Sequence, residues 1–111
     1  AVRVFVCLEP TDMRRSFDGL AAMVEQIINT DPFAGGHLFI FRNRRGNSLK
    51  ILYWDRDGFA IWYKRLEKGT FRLPVGDGPA VEVTARDLWM LLEGVDPLQV
   101  KRRKRYQRPG K

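Results

Sequence analysis

Two carboxylates one residue apart, Asp55 and Asp57, lie in the sequence YWDRDGFAIWYKR, residues 53–65. Carboxylates that converge with Glu67 on metal ions would be suited to cutting a phosphodiester, because two-metal hydrolysis needs several such ligands close together. The alternative is that Asp57-Gly58 forms a two-residue hairpin turn, for which Asp-Gly is a strong signal. The turn explains the same residues more simply, so we expect no enzyme and keep a metal-dependent nuclease as the least favoured alternative.

Other catalytic chemistry has little support in this chain. It contains one histidine, His37, and one cysteine, Cys7, with no Gly-x-Ser-x-Gly motif. These residues provide neither a nucleophile with its base nor a zinc set, so we expect no catalytic residue, metal or cofactor. Cys7 lies in an apolar strand and is predicted to be a small core residue.

Clustered basic charge is the stronger functional signal. Of the 20 Lys and Arg, seven lie in the last eleven residues with no acid, and the remaining residues hold 13 basic and 13 acidic side chains. Residues 42–72 hold nine Lys or Arg against three acids. Such clusters attract phosphate backbones, and we predict DNA binding. The candidate contacts are Arg14, Arg15, Arg42, Arg44, Arg45, Lys50, Lys64, Arg65, Lys101, Arg102, Arg103, Lys104, Arg105 and Arg108.

Two parts of this set have other interpretations. A solubilising tail or a nuclear-import signal would resemble the run from Lys101 to Arg108. Arg14 and Arg15 precede a predicted helix, where the helix dipole favours anions rather than cations. Their position indicates either a contact with an anion or a structural pairing with Asp12 or Asp18.

Aromatic side chains along the predicted hairpin are candidates for contact with bases or with a partner protein. With a two-residue turn, Trp54 shares a face with Tyr63, and Trp62 lies on the other face. Exposed aromatics beside cations suit base stacking, whereas two covering helices would bury both faces. The alternative function is a protein adaptor that docks onto a partner protein or onto a second copy of the chain through Trp54, Trp62 and Tyr63.

The element pattern places these residues on an α+β domain. Residues 2–8 predict a strand, and apolar residues at helical spacing from Phe17 to Ile28 predict a helix that ends at residues 29–32. Thr11, Asp12 or Ser16 would cap this helix. Three strands follow, at residues 37–42, 48–54 and 59–65, with shorter candidates at 70–73 and 81–83. Thr84 and Asp87 predict a capping box for a second helix that Gly94 stops.

Runs of strands joined by short turns favour an antiparallel β-meander sheet packed with two helices. We predict one domain over residues 1–95 and a basic, flexible C-terminal tail over residues 96–111. No apolar run approaches a membrane span, and nothing resembles a signal peptide. We expect a cytoplasmic protein that is nucleoid-associated if it binds DNA, with no membrane partner.

The motifs PTDMRRSFDGLAAMV, residues 10–24, and DPFAGGHLFIFRNRRGNSLKILYWDRDGFAIWYKRLEKGTFRLP, residues 31–74, resemble a known family. It is the TnpB-type accessory protein, from the second reading frame, of IS-sixty-six-type bacterial insertion sequences, not the RNA-guided nuclease of that name. The resemblance extends from about Val2 to Gly94; Gly35-Gly36 stands where the family usually has one Gly. It implies a non-catalytic helper in transposition beside a separate transposase, and it implies no catalytic residues for this chain.

Overall fold

The computed structural model describes residues 2–96 and 101–102. Its elements, in chain order, are β1 (Val4–Cys7), α1 (Phe17–Met23) continued by a π-helical segment (Val24–Ile28), β2 (Leu38–Arg42), β3 (Ser48–Asp55), β4 (Gly58–Arg65), β5 (Ala80–Val83), α2 (Ala85–Glu93), β6 (Val95–Asp96) and β7 (Lys101–Arg102). The α+β class is therefore confirmed, and both predicted helices are present.

The five longer strands form one mixed sheet in the order β4-β3-β2-β1-β5. The consecutive strands β2, β3 and β4 form the predicted antiparallel meander. β1 pairs with β2 in parallel, with Val4 opposite Leu38, because α1 carries the chain back across the sheet between them. β5 returns to pair antiparallel with β1. β6 and β7 form a separate two-stranded sheet, so Lys101 and Arg102, which were predicted to belong to the tail, pair with Val95 and Asp96.

Both faces of the large sheet are covered. On one face, α1 and the π-helical segment pack Leu20, Met23 and Val24 against the strands. On the other face, Leu91 of α2 and Phe71 pack against residues that alternate with the first set. Cys7 is fully buried in the first cluster, as expected, and burial raises the pKa of its thiol. Burial of both faces, the alternative considered for the hairpin, therefore holds for β3 from Ser48 to Leu52, but not for the end of β4, where Trp62 and Tyr63 are exposed.

Residues 70–73 are not a strand, and that prediction was wrong. Phe71 is buried on the second face, and its backbone amide donates to the carbonyl of Gly46 at 2.8 Å. Pro74 follows at once, and proline has no amide to donate to a ladder. The segment therefore covers the sheet face instead of extending the sheet.

The turn between β3 and β4 lies one residue earlier than predicted. Asp55 pairs with Gly58, which leaves Arg56 and Asp57 as the two turn residues, and Arg56 has φ +57°. The face assignment was nevertheless correct, because this shift changes the register by two residues and keeps Trp54, Ile61 and Tyr63 on one face.

α2 starts as its sequence predicts. The Thr84 side chain accepts from the amide of Asp87, and the Asp87 carboxylate accepts from the amide of Thr84. The first helix has Ser16 at its N-cap position without a side-chain capping bond, and it ends at Asn29 in the left-handed conformation. No helix in residues 2–96 has the length and apolar character needed to cross a bilayer.

Candidate nucleic-acid interface

An open cleft of about 700 Å³ lies where three separate segments meet. The loop at residues 9–15, the π-helical end of the first helix and the β2–β3 turn at residues 43–47 each contribute to its lining. The lining residues are Glu9, Pro10, Thr11, Asp12, Met13, Arg15, Met23, Gln26, Ile27, Asn43, Arg44 and Arg45. Three of the arginines that were predicted to contact DNA, Arg15, Arg44 and Arg45, therefore border one cavity.

The β2–β3 turn is held by a network around Asn43. Its carbonyl accepts from the amide of Gly46 at 3.0 Å, which closes a turn with Arg44 and Arg45 in the two central positions. Its side-chain oxygen accepts from the amide of Ser48 at 2.9 Å, and its side-chain nitrogen donates to Asn47 Oδ1 at 2.7 Å. The two arginines thus extend from a fixed backbone.

Gly46 is needed in this turn. It adopts φ +77°, a conformation that residues with a side chain rarely take. Its carbonyl is the acceptor for Phe71, so the turn is also tied to the segment that covers the opposite sheet face.

Lys50 fixes the other side of the cleft. Only 8% of this lysine is exposed, and its ammonium donates to the carbonyls of Met13 and Arg15, each at 2.8 Å. It also lies 4.9 Å from the ring centroid of Tyr63. The two hydrogen bonds and the cation–π contact stabilise the charge inside the fold. Lys50 was predicted to contact phosphate; the structure instead places it inside, where it holds the loop that carries Arg15.

Arg14 and Asp12 form an exposed ion pair at the rim of the same loop. The closest contact joins Arg14 Nη2 to Asp12 Oδ2 at 2.6 Å, and the Arg14 amide also donates to Asp12 at 2.9 Å. Hydrogen bonds from Arg14 lower the pKa of Asp12 to about 2. The structural pairing considered for Arg14 therefore exists, and it leaves Arg15 as the arginine that lines the cleft.

Arg42 belongs to the framework of the fold. It is half-buried, and its guanidinium donates to the carbonyls of Leu8 and Asn43, both at 3.2 Å. The bond to Leu8 connects the ends of β1 and β2, and the bond to Asn43 lies within the β2–β3 turn. By contrast, the side chains of Arg15, Arg44 and Arg45 make no hydrogen bond or ion pair with any residue in the described ranges.

The remaining predicted cations and aromatics lie along β4 and the hairpin tip. Lys64 and Arg65 are exposed at the end of β4, where Arg65 is 3.5 Å from Glu67. Trp54 is half-buried against Phe33 and Phe59, with ring centroids 5.1 and 5.0 Å away. Trp62 and Tyr63 remain open, at 39% and 53% exposed. The aromatics are thus divided between a partly buried cluster around Trp54 and the exposed end of β4.

The three carboxylates considered for metal binding do not form a set. Asp55 is exposed at the end of β3, 4.0 Å from Arg56, and Glu67 interacts with Arg65. No three His, Cys, Asp or Glu side chains converge on a possible metal position within the described part of the chain.

The predicted contacts in the tail cannot be placed. Lys101 and Arg102 are described only as the backbone of β7. Arg103, Lys104, Arg105 and Arg108 lie outside the described residues, so DNA binding by the tail stays a prediction.

Sequence reasoning did not identify several residues of the cleft, among them Glu9, Met13 and Gln26. No local pattern brings them together, because they come from a loop and a helix that the fold sets beside the turn. For Lys50 a signal was present: it is the one charged residue in the run SLKILYW, where the neighbouring positions are apolar. A lone cation within a core strand is typical of a buried charge with specific partners.

Comparisons with known proteins give a family match and two similar chains. The model of a family described as IS66 Orf2 like protein matches residues 2–102. The uncharacterized protein y4hO of Sinorhizobium fredii is 38% identical over 95 residues, which cover 86% of this chain and 82% of that protein. The uncharacterized protein y4jC of the same organism is 36% identical over 110 residues, covering 99% and 92% of the two chains. No solved structure matches.

Proposed function

This chain belongs to the IS66 Orf2 like family, and we propose that it serves transposition by binding DNA through the cleft bordered by Arg15, Arg44 and Arg45. The family implies a transposition-related accessory role. DNA binding is the specific contribution that we propose for this chain. In this proposal, the cutting and joining of DNA is carried out by the transposase of the same insertion sequence.

The observation that carries the proposal is the convergence of three arginines that lack an internal acceptor. Two more cations of the same region, Lys50 and Arg42, are satisfied by backbone carbonyls. Arg15, Arg44 and Arg45 have no comparable partner in the described residues. Guanidinium groups bind phosphate through paired donors, so an exposed cluster of them is suited to a nucleic-acid backbone.

The rigidity of the surroundings supports the same proposal. The Asn43 network fixes the turn that carries Arg44 and Arg45, and Lys50 fixes the loop that carries Arg15. A preformed site loses less conformational entropy on binding than a flexible one. Two acids, Glu9 and Asp12, also line the cleft. Since Asp12 is neutralised by Arg14, the arginines outweigh the remaining acid.

The test is fluorescence anisotropy of duplex DNA with the full chain at several salt concentrations. Affinity for DNA falls as salt rises, and each lost phosphate contact makes the slope of log affinity against log salt less steep by about 0.9. We expect the R44A/R45A variant to make that slope less steep by about 2 and to weaken binding evenly across sequences. R72A/R86A removes two exposed arginines that do not line the cleft and is the matched control.

A further variant separates the cleft from the tail. Replacing Lys101, Arg102, Arg103, Lys104, Arg105 and Arg108 with glutamine leaves the described cleft residues unchanged. If this variant loses all DNA binding while R44A/R45A keeps the parental salt slope, the cleft is not the site and the proposal fails.

A protein adaptor is the second candidate function, because Trp62 and Tyr63 are exposed on a strand at the edge of the sheet. In that case the chain would co-purify with the transposase of its element from a nuclease-treated extract. A W62A/Y63A variant would lose that association and keep its DNA affinity.

A further inference from the structure

The strand β4 has one unpaired edge. It is the last strand in the order of the large sheet, and among the described residues only β3 pairs with it. At eight residues it is as long as β3 and twice as long as β5, the strand at the opposite edge. A long exposed edge is a template for pairing with another strand.

The backbone groups that face outward on β4 can be identified from the hairpin. Asp55 and Gly58 close a two-residue turn, so this pair exchanges hydrogen bonds, and the pattern then alternates along the ladder. Ala60, Trp62 and Lys64 therefore bond to β3. The amides and carbonyls of the alternate residues, Phe59, Ile61, Tyr63 and Arg65, face away from it.

We infer that this edge binds the same edge of a second copy of the chain, in an antiparallel pair centred on Ile61. A two-fold axis through the sheet places Ile61 against itself and keeps corresponding faces on the same side. Phe59 then lies opposite the second copy's Tyr63, and Ala60 lies opposite its Trp62. In this register the outward backbone amides and carbonyls of β4 form hydrogen bonds with those of the second copy.

The charges at the two ends of β4 favour this register over its neighbours. The six residues from Gly58 to Tyr63 carry no charge, whereas Asp57 precedes them and Lys64 and Arg65 follow. Antiparallel pairing about Ile61 brings Asp57, the turn residue just before β4, to the position opposite Arg65 of the other copy. A register centred on Ala60 would oppose Arg56 to Lys64, and one centred on Trp62 would oppose Asp57 to Glu67. Like charges directly opposite each other destabilise such pairs.

The exposed aromatics agree with an apolar contact at the centre of the edge. Trp62 and Tyr63 are adjacent and lie on opposite faces of β4, and both remain open in a sheet whose faces are otherwise covered. Pairing would place Trp62 beside a small residue, Ala60, on one face. It would place Tyr63 beside Phe59 on the other, and aromatic cross-strand pairs are favourable.

The experiment is sedimentation velocity with the full chain after nuclease treatment, and it does not depend on the proposed DNA binding. The expected result is a dimer, which R65D and D57R each weaken at least about ten-fold. The double variant D57R/R65D exchanges the charges and restores association to near the parental value. R86D, an equal charge change on α2, leaves it unchanged.

Amide hydrogen exchange provides a second readout. In the dimer, the amides of Phe59, Ile61, Tyr63 and Arg65 are as protected as those that bond to β3, and in R65D they exchange faster. A chain that is monomeric at every concentration overturns the proposal, as does an effect of R65D no larger than that of R86D or a double variant that fails to recover. Failure of the dimer with intact DNA affinity would leave the proposed function in place.

Discussion

Within the β2–β3 hairpin, four cations that look alike in the sequence differ in what satisfies them. Arg42 and Lys50 donate to backbone carbonyls of other segments. Arg44 and Arg45, between them, extend from the turn and meet no acceptor in the described residues. The first two maintain the fold, and the second two are available to a ligand. Basic composition alone therefore overstates a binding surface, because part of the charge stabilises the protein itself.

The largest expected effect is that of Lys50→Met, which removes the buried cation. The carbonyls of Met13 and Arg15 lose their donor, and we expect a loss of about 2–4 kcal/mol in the free energy of unfolding. Urea denaturation measures this loss. Lys64→Met, at an exposed position of β4, should change the stability by less than about 0.5 kcal/mol. Equal stabilities of the two variants would contradict the structural role of Lys50.

Arg42→Ala should have the next largest effect. The variant loses the bond to Leu8, which joins the ends of β1 and β2, and the bond to Asn43 in the β2–β3 turn. We therefore expect a destabilisation of about 1–2 kcal/mol, measured in the same way. Arg72→Ala, which replaces an exposed arginine, is the control. A stability equal to that of the control would place Arg42 with the exposed cations instead.

The variant R44A/R45A should show the reverse pattern. Its free energy of unfolding should change by less than about 0.5 kcal/mol, because neither side chain has a partner in the described residues. A marked loss of stability would mean that these arginines also support the fold, and would remove the distinction between the two pairs of cations.

The smallest expected effect concerns the neighbours Arg14 and Arg15. Arg14 is paired with Asp12, whereas Arg15 lines the cleft without a side-chain hydrogen bond in the described residues. Asp12 has a pKa lowered to about 2 by Arg14. Any stability from this exposed pair is therefore present above the ordinary carboxyl pKa, near 4, and is lost as the pH falls towards 2. Titration of the Asp12 carboxyl by NMR should show its pKa rising in Arg14→Ala. In Arg15→Ala the pKa of Asp12 should rise less, because the charge of Arg15 contributes less to lowering it than the hydrogen bonds from Arg14 do. A rise as large as that in Arg14→Ala would contradict the pairing of Asp12 with Arg14.

The sequence predicted the parts of this fold that are encoded locally. The β3–β4 hairpin, the faces of its residues and the capping box at Thr84 all follow from short-range patterns. The parallel pairing of β1 with β2 and the place of β5 beside β1 do not, because these contacts join residues far apart in the chain. The position of the hairpin turn was missed because Asp57-Gly58 is the stronger turn signal, while Arg56 accepts a left-handed conformation here.

The candidate site was predicted only in part for the same reason. Arg44 and Arg45 could be recognised from their turn, but the cleft exists only because the 9–15 loop and the first helix pack beside that turn. The burial of Lys50 depends on the distant carbonyls of Met13 and Arg15. From residue type alone, Lys50, Arg44 and Arg45 were all interpreted as phosphate contacts. Tertiary contacts bury Lys50 and leave the two arginines exposed.

The environment of Lys50 has a consequence for its chemical reactivity. An amine reacts with acylating reagents through its free, unprotonated nitrogen, and the Lys50 nitrogen is enclosed by two carbonyls and the Tyr63 ring. Exposed lysines such as Lys64 and Lys68 present their nitrogens to solvent. Acylation of Lys50 must therefore wait until the loop at residues 13–15 separates from β3. The rate of Lys50 acylation, followed by mass spectrometry, therefore reports how often the loop beside the cleft opens.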